Sequence, residues 1–217
     1  MLLQSGQVVV VATGNAGKVK EFAHAFAELG MEVRSLRDYE GLPEIVEDGD
    51  TFQANARKKA KIIGDALGLP VLADDSGLCV DALGGAPGVY SARYAGEDAT
   101  DADNNAKLLR ELKKLAGAAG DIPASEAHGV VLFGGARFKC ALALYDPESG
   151  TFIDAEGAVE GRVLSSPRGE GGFGYDPLFW LPELGRAMAE LTTEEKQAIS
   201  HRGAALRELL AALRQKA

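Results

Sequence analysis

Three acidic residues, Glu47, Asp74 and Asp75, and two lysines, Lys18 and Lys59, are the side chains best suited to chemistry in this sequence. Glu47 with the adjacent pair Asp74-Asp75 makes a carboxylate set of the kind Mg2+ prefers. That ion takes one or two carboxylates and leaves its other positions to water and phosphate oxygens. The bland alternative for Asp74-Asp75-Ser76-Gly77 is a turn closed by an Asx bend. Lys18 closes the stretch Thr13-Gly14-Asn15-Ala16-Gly17-Lys18, where free N–H groups at a helix start would suit an anion. A cation in a first helical turn opposes the helix dipole, at a cost of about 0.3–1 kcal/mol, and a bound phosphate would reverse that sign. An ordinary strand-to-helix turn with solvated lysines, Lys18 and Lys20, is the competing account.

The loop fits neither familiar phosphate fingerprint. A Walker loop needs glycine at position 12 and Ser or Thr after the lysine, and those places hold Ala12 and Val19. The dinucleotide pattern needs a second glycine where Ala16 stands. Thr13 and Asn15 instead offer polar side chains, and Lys18 a point charge.

The elements that must position these groups follow from periodicity. Val8 to Val11 read as a strand buried on both faces. Val19, Phe22, Ala23, Phe26 and Leu29 then fall at helical spacing. Met31 to Leu36 is a candidate second strand. A helix is expected from Thr51 to Leu67, capped by Asp50 with Gln53 completing a capping box. Phe52, Ala56, Ala60, Ile63 and Leu67 mark its buried face. Arg57, Lys58 and Lys61 point away, Asn55 lies at the margin, and Lys59 falls inside the stripe. A lysine there either snorkels to water or reaches an anion. Leu69 to Ala73 reads as a short buried strand, which places Asp74 and Asp75 at a strand end, where α/β sheets hold ligands.

Gly77 to Tyr94, rich in glycine, reads as a folded loop. Asp103 to Leu115 reads as a helix, and Ala116 to Ser125 as a polar excursion. Phe138 to Tyr145 and Thr151 to Val163 read as two strands of a hairpin around Asp146–Gly150. Gly169 to Pro177 is a second glycine loop. Its rings, Phe173 and Tyr175, either stack on a flat base, worth about 1–3 kcal/mol per base, or fold back into the core. Thr192-Thr193-Glu194-Glu195 is a capping box for a short helix carrying Lys196. Ser200 can cap a last helix, with His201 and Arg202 in its first turn and Leu206, Leu209, Leu210 and Leu213 on its buried stripe.

The totals narrow the classes. The chain has 217 residues and a formal net charge of −9. A negative chain is a poor general binder of nucleic acid, so a polyanionic ligand needs a local basic pocket. Cys79 and Cys140 have no paired spacing, which favours a reducing, cytoplasmic setting. His24, His128 and His201 form no zinc pattern. No apolar run approaches ~18 residues and no secretory signal is recognised, so no membrane association is expected. No Ser, Cys or Thr is paired with a histidine, so covalent catalysis is not suggested. The economical chemistry is Mg2+-assisted attack of water on a phosphoanhydride.

Several long segments, in order, also resemble one family. They are Ala12 to Lys18, Thr51-Phe52 with Asn55-Ala56, Leu72 to Leu78, Leu83 to Tyr94, Gly171 to Phe179, and Glu190 through Lys196 to Gly203. Together they resemble the inosine triphosphate pyrophosphatases, the non-canonical purine NTP (dITP/XTP) pyrophosphatases, and their bacterial branch in particular. The resemblance covers nearly the whole chain. It implies a single α/β domain: an elongated mixed β-sheet flanked by helices, in two lobes around a central cleft with no linker. It implies Mg2+-dependent hydrolysis of ITP, dITP and XTP to monophosphate and pyrophosphate, and a homodimer. Carried over, Asp75 looks like the general base. Glu47 and Asp75 look like the Mg2+ ligands, with Asp74 close by and Asp48 as an alternative to Glu47. Thr13, Gly14, Asn15, Ala16, Gly17, Lys18 and Lys59 would hold the triphosphate, and Asn55 would also bind the substrate. Ser76, Phe173, Gly174, Tyr175, Asp176, Lys196, His201 and Arg202 would hold sugar and base. Ala116 to Gly135 departs from the family pattern and looks like an insertion.

Two other readings stay open. One is the related pyrophosphatase group for modified pyrimidine nucleotides, which opens with a Ser/Arg-rich loop instead of Thr13–Lys18. The other is a nucleotide sensor without catalysis, against which the carboxylates at positions 47, 74 and 75 argue.

Overall fold

The computed structural model describes residues 6–27, 29–119, 125–127 and 129–216. The chain divides into two compact units, each built from separate segments. The first comprises Met1–Asp75, Cys140–Gly157 and His201–Ala217, the second Ser76–Lys139 and Ala158–Ser200.

The first unit opens with β1 (Val8–Val11), whose last three valines are buried, then α1 (Ala16–Ala27), which buries Phe22 and Phe26. β2 (Glu32–Ser35) pairs parallel with β1, and β3 (Val71–Val80) pairs parallel on the other side of β1. A right-handed, helix-bearing crossover is the usual way to join such parallel strands. Here α1 joins β1 to β2, and α2 (Phe52–Leu67) precedes β3. The α2 start differs by one residue from expectation. Thr51, not Asp50, is the N-cap, its side chain accepting from the Ala54 N–H. Gly68 ends the helix at φ 65°, a left-handed conformation that favours glycine.

The larger correction concerns β3. The strand does not stop at Ala73. It runs for ten residues, straight through Asp74, Asp75, Ser76 and Gly77. Aspartate disfavours strands, but here each carboxylate has partners that offset the preference, as described below. The Asx-turn account of this stretch therefore does not hold.

In the second unit, the segment expected as one folded loop holds the end of β3 and two 3-10 turns, Asp81–Leu83 and Gly88–Arg93. α3 (Asp101–Ala119) begins two residues before and ends four residues after the expected helix. The stretch read as a polar excursion and insertion falls partly on residues 120–124 and 128, outside the described residues. Within it, β4 (Ser125–Ala127) pairs antiparallel with β5 (Val130–Asp146). β5 and β6 (Thr151–Leu164) are neighbours joined by a short turn in which the Asp146 carbonyl accepts from the Gly150 N–H, the expected hairpin with both strands longer. β7 (Phe179–Leu181) and β8 (Arg186–Ala187) extend the sheet antiparallel from β6. The order is β2-β1-β3-β5-β6-β7-β8, with β4 also on β5, a mixed α/β sheet as expected. α4 (Thr193–Ile199) starts with the predicted Thr192/Glu195 capping box.

α5 (His201–Lys216) belongs to the first unit and buries Leu206, Leu209, Leu210 and Leu213 against Phe22, Phe26, Leu142 and Leu144. It approaches β6 closely at Gly157, where an added Cβ would meet the His201 carbonyl at 2.1 Å and the Ala205 nitrogen at 2.4 Å. Only glycine permits that approach, and it seats the start of α5, where His201 and Arg202 stand.

Candidate active site

In the first unit, the predicted groups converge. Asp74 is 1% exposed, and its Oδ2 accepts from Lys18 Nζ at 2.7 Å and Arg202 Nη2 at 3.4 Å. Arg202, also buried, turns its Nη1 to Glu21 Oε2 at 3.3 Å. Burial alone would raise the Asp74 pKa. The charges of Lys18, Arg202 and Lys59 outweigh it and hold this carboxyl well below the usual range.

Asp75 alternates to the other side of the strand. Asn55 Nδ2 donates to its Oδ2 at 2.9 Å, and Asn55 Oδ1 accepts from the Gly49 N–H at 2.8 Å. Asn55 is thus fully buried, not marginal. It ties the loop before α2 to the reactive strand. Gly49 is required there, because a Cβ would lie 2.6 Å from Asn55 Oδ1. The Asp75 carboxyl is pushed up by burial, with Glu47 and Asp74 adding to the effect and Lys59 and Asn55 opposing it. Two adjacent carboxylates with pKa values driven apart have different tasks available: one a fixed anion, the other a proton acceptor.

Lys59 does not reach water. It is 8% exposed, and its Nζ lies 2.6 Å from Glu47 Oε1. Burial works to lower its pKa, but Asp74, Glu47 and Asp75 together raise it. All three carboxylates therefore act on one ammonium. Asp48, the alternative to Glu47, is exposed and pairs instead with Lys58. Among the described residues no three Asp, Glu, His or Cys side chains stand as a ready cage for a metal. The oxygen donors nonetheless fit Mg2+, which does not need such a cage.

The Thr13–Lys18 loop is more self-contained than expected. Asn15 Oδ1 accepts from the N–H groups of Gly17 (2.9 Å) and Lys18 (3.2 Å), and Thr13 Oγ1 from that of Asn15 (3.2 Å). Asn15 thus acts as the cap of α1. Gly14, Asn15, Ala16 and Gly17 are exposed. Arg37, which the sequence did not single out, donates to the Gly14 carbonyl at 2.7 Å.

In the second unit, the two rings of the glycine loop take opposite fates. Tyr175 is 4% exposed and packs in the core, its hydroxyl donating to the Ser91 carbonyl at 2.8 Å. Phe173 is 39% exposed, with Lys196 Nζ 4.7 Å over its ring. Lys196 is tethered there by Asp176 Oδ2 at 2.5 Å, and the same oxygen accepts from the Phe173 N–H at 3.0 Å. So the loop presents one flat apolar face with a fixed ammonium beside it, the pairing a base with an exocyclic oxygen would use. Gly174 is half-buried in this loop, and Ser76 is half-buried on β3. His201 and Arg202, read with the base-holding group, belong to the first unit, where Arg202 ion-pairs with Asp74.

The site is a mixed α/β sheet with a buried, cation-paired Asp74 beside Asp75 on β3 and a polar strand-to-helix loop next to them, a frame suited to an anionic ligand. Comparison narrows it: residues 9–212 match the model of the Ham1 family, and the chain belongs to that family. It is 53% identical to a dITP/XTP pyrophosphatase of Geobacillus kaustophilus over 201 residues, covering 93% of this chain and 91% of that one. It is 49% identical to that of Shigella flexneri over 209 residues, covering 96% and 98%. Among solved structures, a HAM1 protein from Coxiella burnetii superposes with a TM-score of 0.83 at 38% identity, covering 96% and 99%. A nucleoside-triphosphatase / dITP/XTP pyrophosphatase from Mycobacterium abscessus gives 0.71 at 42% identity, covering 94% and 98%.

Proposed function

We propose that this chain is a Mg2+-dependent nucleoside-triphosphate pyrophosphatase. It hydrolyses ITP, dITP and XTP to the monophosphate and pyrophosphate and so cleanses the nucleotide pool. The observation that carries the reading is the split pair on β3. Asp74 is held as an anion by Lys18 and Arg202, while Asp75, with its pKa raised, is oriented by Asn55. Family membership and the names of the relatives support the substrate class.

In this reading Asp75, aimed by Asn55, takes the proton of the attacking water. Glu47 and Asp75, with Asp74 close by, would hold the Mg2+, which when bound would neutralise phosphate charge and polarise the scissile anhydride. Thr13 to Lys18 and Lys59 grip the triphosphate, and Asn55 keeps Asp75 aimed. Phe173, Gly174, Asp176 and Lys196 hold the base, Tyr175 anchors that loop from the core, and Arg202 acts through its ion pair with Asp74. Hypoxanthine and xanthine carry oxygen at C6 where adenine carries NH2. A donor satisfied by that oxygen is left unpaired by adenine, at a cost of about 1–3 kcal/mol. The chain works as one inosine triphosphatase-like domain, as a homodimer, in the cytoplasm, with no nucleic-acid or membrane partner. Among the described residues no helix is long and apolar enough to cross a membrane.

Pyrophosphate release from dITP, XTP, dATP, dGTP and modified pyrimidine triphosphates, with and without Mg2+, tests this. Turnover of dITP and XTP is expected at least ~10-fold above dATP, from one unpaired donor, and only with the metal. Equal rates on dATP would refute the base selection. Preferred turnover of the modified pyrimidines would favour the pyrimidine group.

A further inference from the structure

The glycine loop carrying Phe173 is gripped by α3 at one peptide. Gly174 donates its N–H to Asp101 Oδ2 at 2.7 Å, and its carbonyl accepts from Asn105 Nδ2 at 2.9 Å. Asp101 and Asn105 are four apart on a helix, so both face the same way. Gly174 sits at φ 61°. A residue held on both its N–H and its C=O cannot rotate either flanking peptide, which fixes the exit direction of Phe173 on one side and Tyr175 on the other. Tyr175 is separately anchored on Ser91.

Two ordinary explanations account for less than this. Asp101, in the first turn of α3, complements the helix dipole. That role needs no contact with residue 174, and Thr100 with Asp103 already caps the helix. Asn105 in a helix could simply face water. Yet its Oδ1 is buried with no hydrogen-bond partner among the described residues, a costly state for an amide. An apolar residue there would spare that cost. The amide is explained by what its Nδ2 does.

We propose that Asp101 and Asn105 are positioning residues for base recognition. They clamp Gly174 so that the Phe173 ring and the Asp176-tethered Lys196 meet the base in a fixed arrangement. The inference rests on the proposed function, since it assigns a ligand to the Phe173 face. Neither residue touches substrate. Loosening the clamp should weaken ground-state and transition-state binding alike, which raises KM and leaves kcat nearly unchanged.

The test is steady-state kinetics of the full chain on dITP and dATP for Asp101→Ala, Asp101→Asn, Asn105→Leu and the unaltered protein, with Tm for each. Asp101→Ala and Asn105→Leu are expected to raise KM for dITP at least ~10-fold, because loss of ordered stacking and small displacements carry penalties of that size. The preference for dITP over dATP should shrink with it, while kcat stays within about 3-fold. Asp101→Asn keeps an acceptor for the Gly174 N–H and should restore near-normal KM. Asn105→Leu should change the Tm little, since loss of the orphaned Oδ1 offsets loss of the donor to the Gly174 carbonyl. Unchanged KM in both disrupting variants, or a fall in kcat and Tm with no change in base preference, would overturn the clamp. Failure of the unaltered protein to hydrolyse dITP would instead overturn the functional reading beneath it.

Discussion

Asp75→Asn should lower kcat for dITP by about 10²–10⁴-fold, the usual worth of a positioned general base, while nucleotide affinity stays within a few-fold. The substitution keeps the shape of the side chain and an oxygen that can still accept from Asn55 Nδ2. It removes the capacity to take a proton and one negative charge, and it weakens one ligand proposed for Mg2+, so the parent and variant are compared at saturating Mg2+. The stability consequence has a definite sign. The Asp75 pKa is raised in the folded state, by burial first and by Glu47 and Asp74 second. Its ionised form is therefore less comfortable folded than unfolded, and above that pKa the charge costs stability. The neutral variant should melt at the same temperature as the parent or slightly higher. Activity lost without stability lost is a common mark of a functional strain point. Stopped assays and equilibrium binding of a non-hydrolysable dITP analogue read the two effects apart. A variant retaining more than a tenth of the parental kcat would remove Asp75 from the role of base.

The second large effect is expected at Arg202. Its guanidinium is 2% exposed and bridges Asp74 and Glu21. Arg202→Ala leaves Asp74 buried with one of its two ion-paired partners gone, the other being Lys18. Breaking a buried pair from one side costs about 3–5 kcal/mol, which for a chain of this size is a fall in Tm of about 6–20 °C. The pH dependence follows from Asp74. Its folded-state pKa is depressed, so it contributes stability above the unfolded carboxylate value of ~3.9, and that stability is lost as pH falls through the folded value. Arg202→Ala brings the Asp74 pKa back up, so the variant should start to unfold at a higher pH on acidification. The difference from the parent should be largest near neutrality and narrow below about pH 4. Thermal melts from pH 8 to pH 3 measure this. A Tm within ~2 °C of the parent at pH 7 would mean that Arg202 carries less than ~1 kcal/mol of this stability.

How much of this was legible in the chain depended on range. The α2 stripe, the Thr192/Glu195 box and the four valines are local patterns, and they held. Lys59 was visible as an anomaly because a lysine in an apolar stripe breaks the 3.6-residue period. The sequence could not say that Glu47 was its partner. The end of β3 was misplaced for the same reason that makes the site interesting. Local propensity ends a strand at two aspartates, but Lys18 and Arg202 lie 56 and 128 residues away from Asp74. Charges that distant rewrite the preference and leave no mark in a window of ten residues. Tyr175 and Phe173 are two apart and alike in composition, and only the neighbouring core decides which ring turns inward. The Asp101 and Asn105 grip on Gly174 spans 73 and 69 residues, and nothing near either residue signals it. Glu21 and Arg37 were missed likewise, as ordinary charged residues in helical and turn settings.

The most direct test is the identity of the products. In 31P NMR of dITP with the protein and Mg2+, one pyrophosphate should appear for every dIMP, with no dIDP at any time. Accumulation of dIDP with orthophosphate, or failure to consume dITP at all, would contradict a water attack directed by Asp75 at the α-phosphate.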